Sequence, residues 1–460
     1  MKSGLITICI ACFLGLFACS SGKGVPMEIV ELRDTILIQK RIVHDEFEIV
    51  PNEDIISDLL DTSILNSGFT GIFLYDLMDN TILYQKNSNH YFVPASNTKI
   101  LTLFVCLHTL GDSITALKYV ETDSTFTFWG TADPTLLHPF FPASDIIAFL
   151  KSKIAHKTVY YSDIHSSLQP YGKGWMWDDY NDYYQAELTS FPMYGNVVKI
   201  SKDTAVVSIL PEEAIEKITK NTASKKVKRK FENNTFEFPT SLDSLQTYYQ
   251  EVPFKNAAEI NIRLLEEAIG KVIIKKEIPI PTYVMTKYSL PVDTVYRRMM
   301  QVSDNMLAEH LLLQCGMSIA DTLSTIFAID TIMSKYAGIL DTSSVWVDGS
   351  GLSRYNLFTP EMMGKVLISL HRDIPEEKLF SLMAIGGGNG SLKKMFNKES
   401  VPYVFAKPGS MAGVYNLSGY MITKSGKKLA FSIMNNNLTC TVTNARKVVG
   451  EIVEIVRLRY

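Results

Sequence analysis

Ser96 and Lys99 are the residues whose types and spacing first suggest chemistry in this chain. They lie three positions apart at the start of an apolar run from Ile100 to Leu110, and residues three apart on a helix share a face. A serine needs a base to take its proton, and lysine can be that base only as a neutral amine. Its pKa must then fall by about 3 units from a reference near 10.4, which burial and nearby cations can supply. The pair predicts an activated serine at the start of a buried helix, although an N-cap serine and a surface lysine show the same spacing.

Two further polar motifs lie far downstream. Ser303-Asp304-Asn305 falls between two segments with helical spacing, and Lys407-x-Gly409 begins a run of strands. The chain has no Gly-x-Ser-x-Gly sequence, which disfavours a serine hydrolase with a His-based triad. It also has no His-Glu-x-x-His motif and no cluster of Cys and His, so the sequence predicts neither a metal nor a cofactor. Cys106, Cys315 and Cys440 are widely spaced and are interpreted as buried thiols.

The hydrophobic pattern places these motifs in an α+β fold. Two short apolar segments, 71–77 and 82–84, predict a hairpin, and strands resume at about residue 404. Helical spacing is found at residues 54–65, 295–300, 306–315, 360–371 and 444–458. This order of strands, helices, strands and a final helix favours an antiparallel sheet flanked by helices.

Length and composition indicate a globular protein with more than one domain. The chain has 460 residues, of which 46% are apolar and 20% charged, and this length exceeds one simple core. The net charge of -3 gives no basic excess of the kind that nucleic-acid binding uses. Residues 115–283 contain short strands, frequent loops and many aromatic residues, which predicts an inserted α+β region. A basic run at 225–230 is interpreted as a solvated loop, with contact to an anionic wall or membrane as the functional alternative.

The first residues have the pattern of an export signal. One lysine follows Met1, an apolar stretch runs from Leu5 to Leu16, and small residues come next. Leu16-Phe17-Ala18-Cys19 resembles a bacterial lipobox, in which cleavage leaves a lipid-bearing cysteine at the new N-terminus. We therefore predict a lipoprotein signal peptide at 1–19, lipidation of Cys19, a tether at 20–50 and a lipid-anchored protein of the cell envelope or periplasm. An ordinary signal cut near Ala18 is the alternative.

The three polar motifs follow one another in the order found in penicillin-interacting serine enzymes, which the chain resembles in this respect. The resemblance implies that Ser96 is the nucleophile and Lys99 its base. Ser303 would relay a proton between Lys99 and the leaving amine, and Asn305 would hold the amide of the substrate. Lys407 would offer a positive charge near the substrate carboxylate.

The strand that follows Lys407 has an implied role as well. Its Gly409 and Ser410 would lie against the substrate. The backbone N–H groups of Ser410 and Ser96 would form an oxyanion hole, in which each donor contributes roughly 2.7–4 kcal/mol.

Further stretches make the chain similar to the D-alanyl-D-alanine carboxypeptidase/endopeptidase family typified by penicillin-binding protein 4, peptidase family S13. The likeness lies in residues 94–99, 303–309, 348–354 and 407–420, and residues 130–136 resemble the start of that family's insertion. About 200 residues separate Ser96 from Ser303, which suits such an insertion.

The resemblance implies a penicillin-binding, β-lactamase-like transpeptidase domain formed by residues 51–114 and 284–460 and split by residues 115–283. It also implies peptidoglycan stem peptides as substrates and β-lactams as covalent inhibitors.

Pro408 departs from this resemblance, because the family usually has Thr or Ser at this position. The missing hydroxyl would bind the terminal carboxylate of the substrate, and losing such a bond costs about 1.5–3 kcal/mol, roughly ten- to a hundredfold in rate. Proline also lacks an N–H, which an open strand edge tolerates. Two other functions remain compatible with these residues: a catalytically weakened or inactive wall-binding lipoprotein of the same fold, and a β-lactamase or esterase.

Overall fold

The structure is a computed structural model that describes residues 48–49, 54–142, 144–204 and 206–460. The predicted signal peptide, the lipidation site Cys19 and nearly all of the predicted tether lie outside these residues. All of the described residues belong to one compact unit. Within the described part of the chain, none of the helices has the length and apolarity of a membrane span.

Ten α-helices form in this part of the chain, and several begin at a side chain that accepts a backbone N–H. Asp304, Ser324, Thr359 and Thr441 each cap a helix in this way, which satisfies a donor that has no partner inside the helix. The helices are α1 (Asp54–Thr62), α2 (Thr98–Thr109), α3 (Ile146–Ile154), α4 (Ala257–Ile269), α5 (Val292–Val302), α6 (Asn305–Ala320), α7 (Thr325–Lys335), α8 (Pro360–Asp373), α9 (Glu376–Leu382) and α10 (Val442–Arg459).

The strands of the described residues form four sheets. They are β1 (Glu48–Ile49), β2 (Phe69–Asp76), β3 (Thr81–Lys86), β4 (Ser113–Glu121), β5 (Thr125–Gly130), β6 (Thr158–Ser162), β7 (Val197–Asp203), β8 (Val206–Leu210), β9 (Lys217–Asn221), β10 (Lys228–Arg229), β11 (Thr235–Pro239), β12 (Thr247–Pro253), β13 (Ile273–Lys275), β14 (Met285–Pro291), β15 (Ala384–Ile385), β16 (Val404–Met411), β17 (Val414–Ile422) and β18 (Lys428–Asn436).

The largest sheet has the strand order β1-β3-β2-β18-β17-β16-β15. Its strands pair antiparallel except for β1, which is parallel to β3. Residues 414–421 of β17 are all buried, because helices cover both faces of the sheet. Tyr420 joins the core of α2, α5, α6 and α8, whereas Leu417 joins the core of α1 and α10. The predicted antiparallel sheet flanked by helices is confirmed.

Helix α2 occupies the centre of the first of these cores. Residues 98–106 are all buried, as expected for a helix that is apolar on nearly every side. The helix begins two residues later than the sequence predicted, because Ala95–Asn97 form a 3-10 turn in front of it.

The remaining three sheets lie between α2 and α5 in the sequence. Their orders are β13-β6-β5-β4-β14, β12-β7-β8 and β10-β11-β9, and they share a separate hydrophobic core with α3 and α4. Strand β14 pairs antiparallel with β4, so the first and last strands of this region lie next to each other. The division at residues 115 and 283 stays a prediction.

The interpretation of residues 225–230 as a solvated loop is wrong for two of them. The four lysines are exposed, but Val227 and Arg229 are buried. The Arg229 guanidinium donates to backbone carbonyls, including those of Pro253 (2.8 Å) and Lys230 (2.7 Å), and it lies over the ring of Tyr180. Carbonyl partners from several segments allow this cation to be buried.

Candidate active site

The turn in front of α2 holds Ser96 at the surface of the core. Ala95 has a φ of 47°, a left-handed conformation that costs a non-glycine residue about 1–3 kcal/mol. The side chain of Asn97 fixes the turn, because it donates to the carbonyl of Lys407 at 2.7 Å and accepts from the hydroxyl of Ser418 at 2.6 Å. Strained backbone held by tertiary hydrogen bonds is characteristic of functional sites.

Lys99 is fully buried one turn later, and its amine has three partners. Nζ lies 3.1 Å from Ser96 Oγ, 2.7 Å from Asn305 Oδ1 and 2.7 Å from the carbonyl oxygen of Ser350. The prediction that Ser96 and Lys99 share one face is confirmed by this geometry, whereas the alternative of a surface lysine is wrong.

These partners suit a neutral amine, which has two hydrogens and one lone pair. The carbonyl of Ser350 can only accept a hydrogen bond. Asn305 donates from Nδ2 to the carbonyl of Tyr184 at 3.1 Å, so its Oδ1 faces Lys99 as an acceptor. In the neutral amine both hydrogens are thereby used, and the lone pair is left for the hydroxyl proton of Ser96. In the ammonium form the third hydrogen is donated to Ser96 Oγ.

Burial makes the neutral form of Lys99 more accessible. Burial lowers the pKa of Lys99 to about 8, because removal from water penalises the charged ammonium. The carboxylates of Glu309, Asp348 and Asp304 act in the opposite direction and raise the same pKa. A lysine poised near neutral pH has the basicity that a general base requires.

Ser303 and Lys407 form a second pair beside the first. Ser303 ends α5 with a φ of 67°, a second strained position at the site. Lys407 Nζ donates to Ser303 Oγ at 2.8 Å and to the carbonyl of Pro408 at 2.7 Å. Burial and the charge of Lys99 lower the pKa of Lys407.

Strand β16 passes directly in front of the turn that carries Ser96. A Cβ on Gly409 would lie 3.0 Å from the backbone nitrogen of Ser96 and 2.6 Å from the carbonyl of Pro94, so only glycine allows this approach. The next residue of the strand, Ser410, is exposed.

The register of β16 directs alternate N–H groups to its free edge. Met411 and Val414 close a two-residue hairpin loop, so residues 411, 409 and 407 bond to β17 while positions 410 and 408 face the other side. On that side β15 pairs only with Phe405 and Ala406. Pro408 therefore lies where no ladder partner needs an N–H, as the sequence argument expected.

The loop of residues 348–353, called the rear loop, lies behind the site and contacts α2. The buried carboxylate of Asp348 accepts backbone N–H groups of Gly351 (2.8 Å) and Ser353 (2.6 Å) and the indole N–H of Trp175 (3.0 Å). Gly351 has a φ of 80°, and an added Cβ would collide with the carbonyl of Ala95. This loop supplies the Ser350 carbonyl that receives Lys99.

The structure thus brings together the catalytic candidates Ser96, Lys99, Ser303, Asn305 and Lys407, with Gly409 and Ser410 alongside. The carbonyls of Ser350 and Tyr184 were not predicted as site groups, because a backbone carbonyl leaves no signal in the residue type. Asp304 caps α6 by accepting the backbone N–H of Leu307, and it pairs with Arg298 at 3.1 Å. His310 is buried and bonds to the carbonyl of Met306, in agreement with a structural role.

The arrangement can perform acyl transfer through a covalent serine intermediate. Ser96 has an adjacent amine base, and the second Ser–Lys pair can hold or pass a proton. Among the described residues, no group of three or more His, Cys, Asp or Glu side chains is placed to hold a metal ion.

Comparison with known proteins gives one family and several relatives. A family model described as the D-Ala-D-Ala carboxypeptidase 3 (S13) family matches residues 52–456. D-alanyl-D-alanine carboxypeptidase DacB of Haemophilus influenzae is 25% identical over 413 residues, which cover 78% of this chain and 84% of that protein.

Two solved structures show that the fold is shared. The crystal structure of penicillin binding protein 4 from Haemophilus influenzae superposes with a TM-score of 0.69 at 21% identity, covering 87% of this chain and 98% of that chain. Its complex with a novel β-lactam gives a TM-score of 0.65 at 20% identity with the same coverage.

Proposed function

This chain belongs to the D-Ala-D-Ala carboxypeptidase 3 (S13) family, and we propose that it is a serine D-Ala-D-Ala carboxypeptidase/endopeptidase acting on peptidoglycan stem peptides and cross-links. The resemblance found in the motifs is confirmed by the family match over residues 52–456. The observation that carries the proposal is the buried amine of Lys99, 3.1 Å from Ser96 Oγ, with two acceptors for its hydrogens.

The reaction begins with attack by Ser96 on the carbonyl carbon of the penultimate D-alanine. Lys99 takes the hydroxyl proton, and the N–H groups of Ser96 and Ser410 stabilise the oxyanion. The approach of Gly409 to the backbone nitrogen of Ser96 supports this pairing of donors, because it brings β16 to the edge of the nucleophile turn.

Collapse of the tetrahedral intermediate breaks the peptide bond and forms the acyl-enzyme. Ser303 passes a proton to the leaving amine, which departs as D-alanine or as a cross-linked D-amino acid. The bond from Lys407 to Ser303 supports that relay, because the Lys407 amine donates to the hydroxyl and thereby orients it. Water then hydrolyses the ester on Ser96, and Asn305 holds the amide of the substrate throughout.

A labelled penicillin tests this proposal through the mass of the intact protein. We expect the full chain to form a covalent adduct, Ser96→Ala to form none, and Ser167→Ala, at an exposed serine, to behave as wild type. If correctly folded wild type forms no adduct even under rapid quenching, the assignment is wrong. A wall-binding protein weakened at Pro408 would then be the better account, whereas an adduct that forms and disappears quickly would indicate a β-lactamase.

We also propose that the protein is exported and held at the cell envelope by lipid on Cys19. The support is the apolar segment and the lipobox-like sequence of residues 16–19. Metabolic labelling with a fatty acid tests this proposal. Label is expected on wild type and not on Cys19→Ala, and equal labelling of the two proteins would contradict it.

A further inference from the structure

Glu309 is a fully buried acid that none of the steps above uses. It lies on α6 four residues after Asn305, so the two side chains share a face of that helix. Its two oxygens accept the backbone N–H groups of consecutive residues, Gly349 at 3.0 Å and Ser350 at 2.8 Å. A buried carboxylate with both oxygens engaged as acceptors fixes a peptide segment firmly.

The segment that Glu309 fixes also contacts the catalytic helix. The carbonyl of Ser350 receives Lys99 Nζ at 2.7 Å, and the carbonyl of Gly349 receives the hydroxyl of Thr102 at 2.6 Å. Each of these two residues therefore gives its N–H to α6 and its carbonyl to α2. The position of the Ser350 carbonyl depends on the carboxylate behind it.

We propose that Glu309 is a positioning residue for the reaction: it holds the Gly349–Ser350 segment so that the Ser350 carbonyl turns the lone pair of the Lys99 amine towards Ser96. This inference rests on the proposed function. Without the carboxylate, the carbonyl can rotate, and the amine loses one of the two acceptors that orient it.

The charge of Glu309 has a separate effect on Lys99. Burial and the charge of Asp348 raise the pKa of Glu309 to about 8, although hydrogen bonds from Ser350 and Gly349 act in the opposite direction. Glu309 therefore becomes anionic in the pH range in which Lys99 loses its proton, and the anion offers both of its oxygens to the two N–H groups.

The charged groups around Lys99 come from three elements. They are Glu309 and Asp304 at α6, Asp348 on the rear loop, and Lys407 on β16. Glu309 is first among the carboxylates that raise the pKa of Lys99. Removing its charge should therefore make the neutral amine available at lower pH.

The acylation rate of the full chain with a fluorescent penicillin, measured from pH 6 to 10, tests the inference. For Glu309→Gln we expect the plateau rate to fall about 10- to 100-fold, because one backbone N–H then faces an amide donor. We also expect the rising limb of the profile to move to lower pH by about one unit. Glu309→Asp keeps the charge on a shorter stem, so the plateau should fall while the limb stays in place.

Glu377→Gln, at an exposed glutamate of α9, is the matched control and should leave both quantities unchanged. The inference is overturned if Glu309→Gln and Glu309→Asp both acylate as wild type does. It is also overturned if the plateau of Glu309→Gln falls with an unmoved limb, since the loss is then merely structural. If Glu309→Gln does not fold, Glu309→Asp at the wild-type plateau rate overturns it. Failure of wild type itself to acylate refutes the proposed function instead.

Discussion

Replacing Asn305 with aspartate tests whether Lys99 works as a neutral amine. The exchange preserves side-chain shape but puts a carboxylate oxygen at the position of Oδ1, 2.7 Å from Lys99 Nζ. An opposite charge at such a distance favours the ammonium and raises a lysine pKa by about 1–3 units. The proton of Ser96 would then lack its acceptor over most of the neutral range.

The size of the effect follows from the pKa of Lys99, which is about 8. Roughly one-tenth of the molecules carry the neutral amine at pH 7, and each unit by which the pKa rises reduces that fraction about tenfold. We therefore expect Asn305→Asp to acylate about 10- to 1,000-fold more slowly than wild type at pH 7. The loss should be recovered as the pH rises through the raised pKa, between about 9 and 11, because the amine then loses its proton again.

Acylation by a fluorescent penicillin, followed from pH 6 to 11, measures this shift. Asn305→Ala is the control, since it removes the same contacts to Lys99 and to the Tyr184 carbonyl without adding charge. Its profile should be lowered at every pH, with no displacement of the limb to higher pH. If the aspartate and alanine variants give profiles of the same shape, Lys99 is not the titrating base and the reasoning fails.

Two further predictions concern Pro408 and the buried thiols. Pro408→Thr supplies the hydroxyl of the family pattern and should raise the rate of D-alanine release from a D-Ala-D-Ala peptide about 10- to 100-fold. Pro408→Ala is the control, since it removes the proline ring without adding a hydroxyl. Equal rates for the two variants would exclude a role for the hydroxyl. Cys106 and Cys315 are fully buried with their sulfurs 3.7 Å apart, and burial raises the pKa of Cys106. Cys440 is half-buried and not buried as predicted, so a maleimide should label it in the native protein, whereas Cys106 and Cys315 should react only after unfolding. Rapid native labelling of Cys106 would contradict this packing.

Much of the fold could be predicted from sequence because its signals are local. The spacing of Ser96 and Lys99 fixes a shared face whether the chain passes through a 3-10 turn or an α-helix at that point. The first residue of α2 could not be fixed in this way, since the strained conformation of Ala95 depends on hydrogen bonds from strands that lie more than 300 residues away. Tertiary contacts of this kind override local propensity.

The sequence predicted which side chains form the site, but it did not predict which backbone groups take part. The motif order pointed to Ser303 and Lys407 as one group, and their atoms lie 2.8 Å apart. The carbonyls that orient Lys99 and Asn305 belong to Ser350 and Tyr184, and any residue type would provide the same oxygen. Arg229 was placed in solvent for a related reason, because its carbonyl partners appear only when separate segments fold together.

Because two lysines are buried at the site, the charge state of each one affects that of the other in the proposed reaction. Lys99 and Lys407 are both fully buried, and a charge on Lys99 lowers the pKa of Lys407. The interaction is mutual, so an ammonium on Lys407 also disfavours charge on Lys99. A substrate carboxylate beside Lys407 would stabilise the ammonium there, and Lys99 would then remain the neutral partner. The substrate would then help to prepare its own base, because an anion bound beside Lys407 would determine which of the two lysines carries the proton.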